Sequence, residues 1–306
     1  MSSTSDDLFP GFATHRIATT AAEIHVRVGG SGPPLLLLHG YPQTHACWHK
    51  VTPTLTRHFM CVAPDLRGYG ESKGPSADHG HLAYSKRAMA RDFVEVMQKL
   101  GHERFAVMSH DRGGRVGYRL ALDHPERIDR LVTLDIVTTL DAWTDMNMDN
   151  AVGRFHWPFL ARPAPFPETM IGHDPVFFLE YLLAQWTSTK DLSAFDPRAL
   201  DHYRRSFARP EVIHASCEDY RAGATCDPEI DAADRAAGRV IACPMLALWG
   251  ASRKHGFVNK PLETWRPWCP HVVGMPIESG HFLPEEAPDA TLAEALPFLL
   301  ADRNPV

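Results

Sequence analysis

Cysteine is scarce in this 306-residue chain, with six residues, none of which forms a CxxC pair or a metal-type spacing. This pattern excludes the disulfide framework of a small secreted domain and the usual structural zinc sites. Histidine is more abundant, with 18 residues, but there is no HExxH pair, so no metal site is predicted. We expect free and mostly buried thiols at positions 47, 61, 217, 226, 243 and 269.

The chain also lacks long apolar runs and clusters of basic residues. No run approaches the length that spans a bilayer. With a formal net charge of −6, the protein is a poor match for nucleic acid or an anionic membrane. The first residues, MSSTSDDLFPGF, show neither the basic nor the apolar region of a secretion signal. We therefore expect a cytoplasmic protein that acts on a small molecule.

Short apolar runs alternate with helical patterns along the chain. Residues 13–29 are expected to form two antiparallel strands, and residues 84–100 and 112–123 to form helices. The remaining runs do not alternate with polar residues, which indicates buried parallel strands covered by helices on both faces. These runs are PLLLLHG (34–40), FMCVAPD (59–65), RFAVMSH (104–110), RLVTLDI (130–136), PMLALWG (244–250) and HVVGMPI (271–277).

The strand rhythm stops after Asp135 and returns at Pro244. The residues between are rich in Trp, Pro and His and carry short helical patterns, so we interpret them as a helical insertion between the sixth and seventh strands. We expect a core domain of residues 1–140 and 239–306 and a helical cap domain of residues 141–238. The fold class is α/β, with a doubly wound, mostly parallel sheet.

The segment SHDRGG places Asp111 between a predicted strand and a predicted helix. Such a turn is typical of a nucleophile elbow, which raises a reactive side chain above the carboxyl ends of the strands. An alternative is that Asp111 only caps the helix, because Asp is a favoured N-cap residue. Partners elsewhere in the chain favour the elbow.

His281, in IESGHFLPEEAP, follows the last predicted strand and suits the base of a catalytic triad. Many proteins of this kind place the acid after the seventh strand, but LWGASRKHGFVNK contains no Asp or Glu. Asp135, at the end of the sixth strand, is therefore the candidate acid. A carboxylate at the end of an apolar strand needs a partner, and the His281 imidazole would supply one.

A carboxylate nucleophile suits displacement at a saturated carbon, which leaves an alkyl ester on the enzyme. A halide or an epoxide provides the leaving group, and a histidine-activated water then hydrolyses the ester. The backbone N–H groups of Tyr41, in LLHGYPQ, and of Arg112 are the candidate oxyanion hole. The loop DLRGYGES (65–72) is interpreted as structural.

Arg112 and Arg115 lie in the first turn after Asp111. Arg115 could form an ordinary i,i+4 ion pair with Asp111, and Arg112 could be solvated. A permanent partner would quench the nucleophile, however, whereas two guanidiniums can fork onto a substrate carboxylate. The pair therefore predicts a small 2-halo acid as substrate.

With these residues assembled, the chain resembles the haloacetate (fluoroacetate) dehalogenases of the α/β-hydrolase superfamily along nearly its whole length. The resemblance is carried by HGYPQTH, SHDRGGRVGYRLALDHP, TLDI, RFHWPFL and IESGHFLPEEAP. It implies an α/β-hydrolase fold with an eight-stranded, mostly parallel sheet. It also implies Asp111 as nucleophile, His281 as base, Asp135 as the orienting acid, and Arg112 and Arg115 as the carboxylate clamp.

The resemblance further implies that His156, Trp157 and Tyr220 bind the departing halide, that the protein is a homodimer, and that it needs no cofactor. Imidazole, indole and phenol are suitable donors to a small anion, although aromatic residues at helical spacing also serve as core. Trp186 is a further possible pocket wall. Tyr41 departs from the phenylalanine expected in relatives, which affects the shape of the pocket rather than its backbone donor.

The leading hypothesis is hydrolysis of a haloacetate, either fluoroacetate or chloroacetate, to glycolate and halide through an aspartyl ester. An epoxide hydrolase of the same fold is the first alternative. A non-catalytic binding protein on the same scaffold is the second, since fold alone does not fix function. That alternative predicts a broken triad, whereas here all the triad positions are filled.

Overall fold

The computed structural model describes residues 7–76, 78–252 and 260–301, and the strands in these ranges form one mixed sheet. They are β1 (Ala13–Ala18), β2 (Glu23–Gly29), β3 (Pro34–Leu38), β4 (Met60–Pro64), β5 (Phe105–His110), β6 (Ile128–Leu134), β7 (Met245–Gly250) and β8 (Val273–Ile277). Their order across the sheet is β1-β2-β4-β3-β5-β6-β7-β8. The pairs β1–β2 and β2–β4 are antiparallel, and all other pairs are parallel. The predicted eight-stranded, mostly parallel sheet is confirmed.

The central strands are buried, as their uninterrupted apolar sequences predict. Every residue of β5 is buried, as are the last four residues of β3. The prediction is wrong for the burial of HVVGMPI, because in β8 Val273 is 53% exposed and Met275 is 41% exposed. The reason is position, since β8 is an edge strand that pairs with β7 alone.

Helices cover the sheet, and eight of them lie between β6 and β7 in the described part of the chain. Those that pack around the sheet are α1 (Thr52–Leu55), α2 (Lys86–Lys99), α3 (Asp111–Asp123), α12 (Pro261–Trp265), α13 (Leu283–Glu286) and α14 (Pro288–Leu300). The inserted helices are α4 (Thr139–Thr144), α5 (Met148–Ala151), α6 (His156–Leu160), α7 (Phe166–Gly172), α8 (Pro175–Trp186), α9 (Pro197–Phe207), α10 (Pro210–Ala224) and α11 (Cys226–Ala236).

The helix predicted over residues 84–100 is observed as α2. Ser85 caps it by accepting a hydrogen bond from the backbone N–H of Ala88. Its apolar stripe, which includes Met89, Phe93 and Met97, is buried. Because α2 packs on α3, this stripe supports the helix that begins at Asp111.

Two sequence-based expectations concern the thiols and the membrane. All six cysteines are free thiols, and five are buried, with Cys243 at intermediate exposure. No helix among the described residues is long and apolar enough to cross a membrane. Residues 253–259, part of the LWGASRKHGFVNK segment, lie outside the described residues.

A buried carboxyl connects the inserted helices to the sheet side of the molecule. Gln43 Nε2 and the Tyr203 hydroxyl both donate to one carboxylate oxygen of Glu285, on α13. Burial raises the pKa of Glu285 to about 8, and the hydrogen bonds from Tyr203 and Gln43 offset only part of that rise. Because the neutral form is favoured in the folded state, the contribution of Glu285 to stability is complete below its ordinary pKa of 4.5. That contribution is lost as the pH rises toward 8.

We therefore expect Glu285→Gln to flatten the pH dependence of stability. Between pH 6 and pH 9 the wild-type Tm should fall more than that of Glu285→Gln, with a free-energy difference on the order of a few kcal/mol. Thermal unfolding across this pH range measures the difference. Glu229→Gln, at an exposed position, is the matched control and should follow the wild type. Parallel curves for wild type and Glu285→Gln would contradict the prediction.

Candidate active site

The turn from β5 into α3 carries Asp111 at its apex. Asp111 has a φ of 46°, in the left-handed region that non-glycine residues rarely adopt. The turn is possible because its neighbours are glycines. A Cβ at Gly113 would lie 2.1 Å from the carbonyl oxygen of His39, and a Cβ at Gly40 would lie 2.3 Å from Asp111 Cβ. The geometry is that of an elbow built around a strained aspartate.

Asp111 does not cap the helix. The N-cap residue of α3 is His110, and no side-chain cap hydrogen bond is made there. Instead, Asp111 Oδ1 accepts a hydrogen bond of 2.8 Å from the backbone N–H of Tyr41, which follows β3. The N–H of Arg112 lies in the first turn of α3, where amides have no partner within the helix. Oδ1 of Asp111 thus occupies the position expected of an oxyanion. Oδ2 of Asp111 remains available to attack a substrate.

His281 and Asp135 complete a triad with Asp111. His281 Nε2 lies 3.5 Å from Asp111 Oδ2, and His281 Nδ1 lies 2.5 Å from Asp135 Oδ2. Asp135 immediately follows β6 and, like Asp111, has a positive φ, of 54°. Its Oδ1 accepts a hydrogen bond from the Gly250 N–H at the end of β7. The carboxyl ends of four strands therefore bring together residues that are far apart in sequence.

The electrostatics keep Asp111 ionised. Burial by itself would raise the pKa of this carboxyl, but its contact with the His281 imidazole and the nearby His110 and Arg112 hold the pKa well below its usual range. His110 is itself buried, and burial together with the charge of His281 lowers its pKa to about 3. His110 Nε2 lies 2.8 Å from the carbonyl oxygen of His281, so a neutral His110 donates to the backbone of the base.

The two arginines differ in their partners. Arg112 was expected to fork onto a substrate, but its fork is already occupied. Its Nε and Nη2 donate to Asp219 Oδ2 and Oδ1 at 2.9 and 2.7 Å. Only Nη1 of Arg112 makes no hydrogen bond with the described residues. The expectation of a free fork is therefore wrong for Arg112, because a buried guanidinium needs a counter-ion and α10 supplies one.

Arg115 keeps most of its donors. It is fully buried, and its Nη1 donates to the carbonyl oxygen of Val137 at 2.8 Å. Its Nε and Nη2 have no partner among the described residues, and it forms no ion pair with their carboxylates. The i,i+4 ion pair with Asp111 is therefore not formed. Burial and the nearby Arg112 lower the pKa of Arg115 from its ordinary value. A buried cation without an anion is costly, which makes this position suited to an anionic ligand.

The inserted helices close the space above Asp111 with aromatic rings. His156 and Trp157 begin α6, and Tyr220 lies on α10. The Tyr220 ring centroid lies 5.7 Å from that of His156 and 6.2 Å from that of Trp157. Trp157 also covers Arg115, whose Cζ lies 4.6 Å from the ring centroid. All three predicted halide ligands are buried, and the Tyr220 ring contacts the other two.

Tyr41 and Trp186 form the opposite wall. The Tyr41 ring is parallel to that of His156 at 6.4 Å and edge-on to that of Tyr220 at 5.1 Å. Trp186 lies 4.5 Å from His156 and 5.6 Å from His281 between ring centroids. Its carbonyl oxygen also accepts a hydrogen bond from the His281 N–H. Trp186 thus packs against both His156 and the base, and it anchors the loop that carries His281.

Sequence reasoning missed Asp219, which holds Arg112, and it missed Tyr69 and Lys86, which hold Asp219. Asp219 directly precedes Tyr220, but an acidic residue within a helical pattern gives no sign that it is buried. Its partner Lys86 is 133 residues away in sequence, at the start of α2. The only signal in the sequence was that two neighbouring arginines, Arg112 and Arg115, lacked an evident counter-ion.

Among the described residues, one group of side chains outside the triad is of the kind that can bind a metal ion. His25, His45 and Asp65 have potential ligand atoms within 4.8 Å of one another. Both oxygens of Asp65 already accept hydrogen bonds, from the two imidazoles and from the backbone N–H groups of His45 and Glu71. The cluster therefore serves to hold the loop that contains Asp65.

Comparison with known proteins agrees with this geometry. The sequence profile of the alpha/beta hydrolase fold matches residues 33–288. The chain belongs to the α/β-hydrolase family. It is 42% identical over 300 residues to a fluoroacetate dehalogenase from Burkholderia sp., a match that covers 97% of each chain. It is 31% identical to a soluble epoxide hydrolase from Corynebacterium sp. (strain C12), over 93% of this chain and 96% of that protein.

Among solved structures, a protein from Nostoc sp. PCC 7120 assigned as an alpha/beta hydrolase superimposes with a TM-score of 0.90 and 48% identity. The match covers 95% of this chain and 99% of that one. These relatives confirm the fold class inferred from the sequence.

Proposed function

We propose that this protein is a hydrolytic dehalogenase that converts a haloacetate, fluoroacetate or chloroacetate, to glycolate and halide. The 42% identity to a fluoroacetate dehalogenase over 97% of both chains supports this proposal. The observation that carries it is Arg115, a fully buried guanidinium beside the nucleophile that forms no ion pair with the described carboxylates. A substrate carboxylate at Arg115 would supply the missing charge and present its α-carbon to Asp111.

In the first step, Asp111 Oδ2 attacks the carbon that bears the halogen. A carbon–oxygen bond forms as the carbon–halogen bond breaks, and the halide leaves with its electron pair. The carboxylate needs no base, because its pKa lies well below neutral pH. Oδ1 remains hydrogen-bonded to the Tyr41 N–H, which fixes the direction of attack.

In the second step, a water attacks the ester carbonyl carbon of Asp111. His281 takes the proton from that water, and Asp135 holds the imidazole in position and balances its positive charge. The N–H groups of Tyr41 and Arg112 receive the oxyanion. Collapse of this intermediate breaks the ester C–O bond, and His281 returns its proton to the departing alkoxide, which leaves as glycolate. The Asp111 carboxyl then loses the proton of its new hydroxyl to solvent and is a carboxylate again.

The leaving halide is assigned to His156, Trp157 and Tyr220. Their rings are buried, and Tyr220 contacts both of the others. Three weakly polar donors would bind a small anion without trapping it, as a charged residue would. Fluoride is a poorer leaving group and a harder anion than chloride, so it needs more donation as its bond breaks.

We expect Trp157→Phe to depress fluoride release more than chloride release. Loss of one preorganised donor should cost about 10²-fold with fluoroacetate and less with chloroacetate. Steady-state halide release from the two substrates measures the ratio. Trp143→Phe is the control, because its indole N–H already donates to the Gly223 carbonyl oxygen at 2.6 Å. Equal losses on both substrates would mean that Trp157 only shapes the pocket.

A panel of fluoro-, chloro- and bromoacetate with ion-selective halide detection tests the function. Halide and glycolate should appear in equal amounts. The 31% identity to an epoxide hydrolase makes epoxide opening the alternative, and a parallel diol assay with a small terminal epoxide separates the two. Diol formation without halide release would overturn the dehalogenase proposal.

The domain boundaries and the assembly are also proposed. We treat residues 141–238 as a cap domain on a core of residues 1–140 and 239–306, in a cytoplasmic homodimer. Support for the dimer comes from apolar side chains exposed on α7 and α8, among them Phe166, Met170, Phe177 and Tyr181. Light scattering coupled to size-exclusion chromatography should give twice the mass of the 306-residue chain. The single-chain mass would exclude the dimer.

A further inference from the structure

Arg112 belongs to α3, but its guanidinium is held by α10 of the inserted helices. Besides the two contacts with the Asp219 carboxylate, Arg112 Nη2 donates to the Asp219 backbone carbonyl oxygen at 2.6 Å. Three hydrogen bonds therefore join one arginine to one residue of another element. A guanidinium bound along the edge that carries Nε and Nη2 cannot rotate without breaking all three.

The same helix encloses the guanidinium on two other sides. Arg112 Cζ lies 4.2 Å from the centroid of the Tyr220 ring. One turn after Asp219, a Cβ at Gly223 would lie 2.9 Å from Arg112 Nη2, so a side chain there would force the guanidinium to shift. Asp219, Tyr220 and Gly223 form a cradle that leaves Nη1 as the donor without a partner among the described residues.

Asp219 is in turn fixed from the sheet side of the molecule. Tyr69 donates to Asp219 Oδ2 at 2.7 Å, and Lys86 donates to Asp219 Oδ1. Lys86 also reaches Asp227 Oδ2 at 3.3 Å. All of these side chains are at least 97% buried. Two carboxylates thus balance the charges of Arg112 and Lys86, whereas Arg115 forms no ion pair with the carboxylates of the described residues.

We propose that Asp219 is a positioning residue, which holds Arg112 so that its single free nitrogen, Nη1, binds the substrate carboxylate beside Arg115. This inference rests on the proposed dehalogenase function. The substrate is therefore held by the charge of Arg115 and oriented by one directed hydrogen bond from Arg112. Asp219 touches no reacting atom and acts through Arg112 alone.

The test compares Asp219→Asn with Asp227→Asn in chloroacetate turnover. Both variants remove a buried carboxylate from Lys86, but only Asp219 contacts Arg112. Asp219→Asn should raise KM by about tenfold or more, with a smaller change in kcat, because a charged hydrogen bond orients the binding group. Asp227→Asn should leave KM near the wild-type value. A wild-type KM in Asp219→Asn, or equal KM changes in both variants, would overturn the proposal.

A milder variant covers the case in which Asp219→Asn does not fold. Tyr69→Phe removes one hydrogen bond to Asp219, and Tyr84→Phe removes a partly buried hydrogen bond to the Pro75 carbonyl oxygen. Only Tyr69→Phe should raise KM, and it should have no further effect when Arg112 is already Met. An additive effect in that background would mean that the network is merely structural. Failure of the wild type to release halide would instead refute the proposed function.

Discussion

The His281→Asn variant is expected to release about one halide per active site and then stop. The reason is that the two steps need different groups. Asp111 attacks as a carboxylate, and the nearby Arg112 and the Tyr41 N–H still stabilise its charge when His281 is replaced, so displacement proceeds without a base. Hydrolysis of the resulting ester needs His281 to take a proton from water. The variant should therefore accumulate the ester.

Rapid-quench measurement of halide gives the size of this burst. Mass spectrometry of the digested variant should find a carboxymethyl ester on the peptide that contains Asp111. Asp111→Asn is the control, because it keeps the shape of the side chain and should show neither burst nor adduct. If His281→Asn binds substrate but gives no burst, the histidine acts before or during displacement. Water would then be the attacking group in place of Asp111.

The triad could be located from sequence because each member follows an apolar strand. Asp111, Asp135 and His281 lie after β5, β6 and β8, and parallel strands bring their carboxyl ends to one edge of the sheet. An apolar strand can be recognised from its local sequence. The strands of the sheet and the catalytic residues that follow them could therefore be inferred together. The edge position of β8 could not be inferred in this way, because the order of the strands depends on contacts between distant segments that a single apolar run does not encode.

The surroundings of the arginines were beyond sequence reasoning for a related reason. Asp219 lies 107 residues from Arg112 in sequence, and it meets Arg112 only because α10 folds over the end of α3. Local patterns predict that α10 is a helix, but not which of its faces is buried against a cation. The sequence therefore singles out both arginines, whereas the difference between the partners of Arg112 and Arg115 appears only in the folded chain.

That difference predicts opposite effects on stability from two similar substitutions. Arg115→Met removes a buried cation that forms no ion pair with the described residues, so the Tm should equal or exceed that of the wild type. Arg112→Met leaves Asp219 without its main partner and should destabilise the fold by about 3–5 kcal/mol. Thermal unfolding without ligand measures both.

Activity should follow a different order from stability. Arg115→Met should lose about 2–5 kcal/mol of substrate binding or transition-state energy, equivalent to a loss of about 30-fold to several thousand-fold in kcat/KM, because it removes the charge that recognises the carboxylate. The variant should therefore be inactive toward haloacetate yet well folded. Added acetate should raise the Tm of the wild type but not that of Arg115→Met, since only the wild type gains a counter-ion. A near-normal KM in Arg115→Met would show that the substrate carboxylate binds elsewhere. Arg115 would then have no role in recognising the substrate.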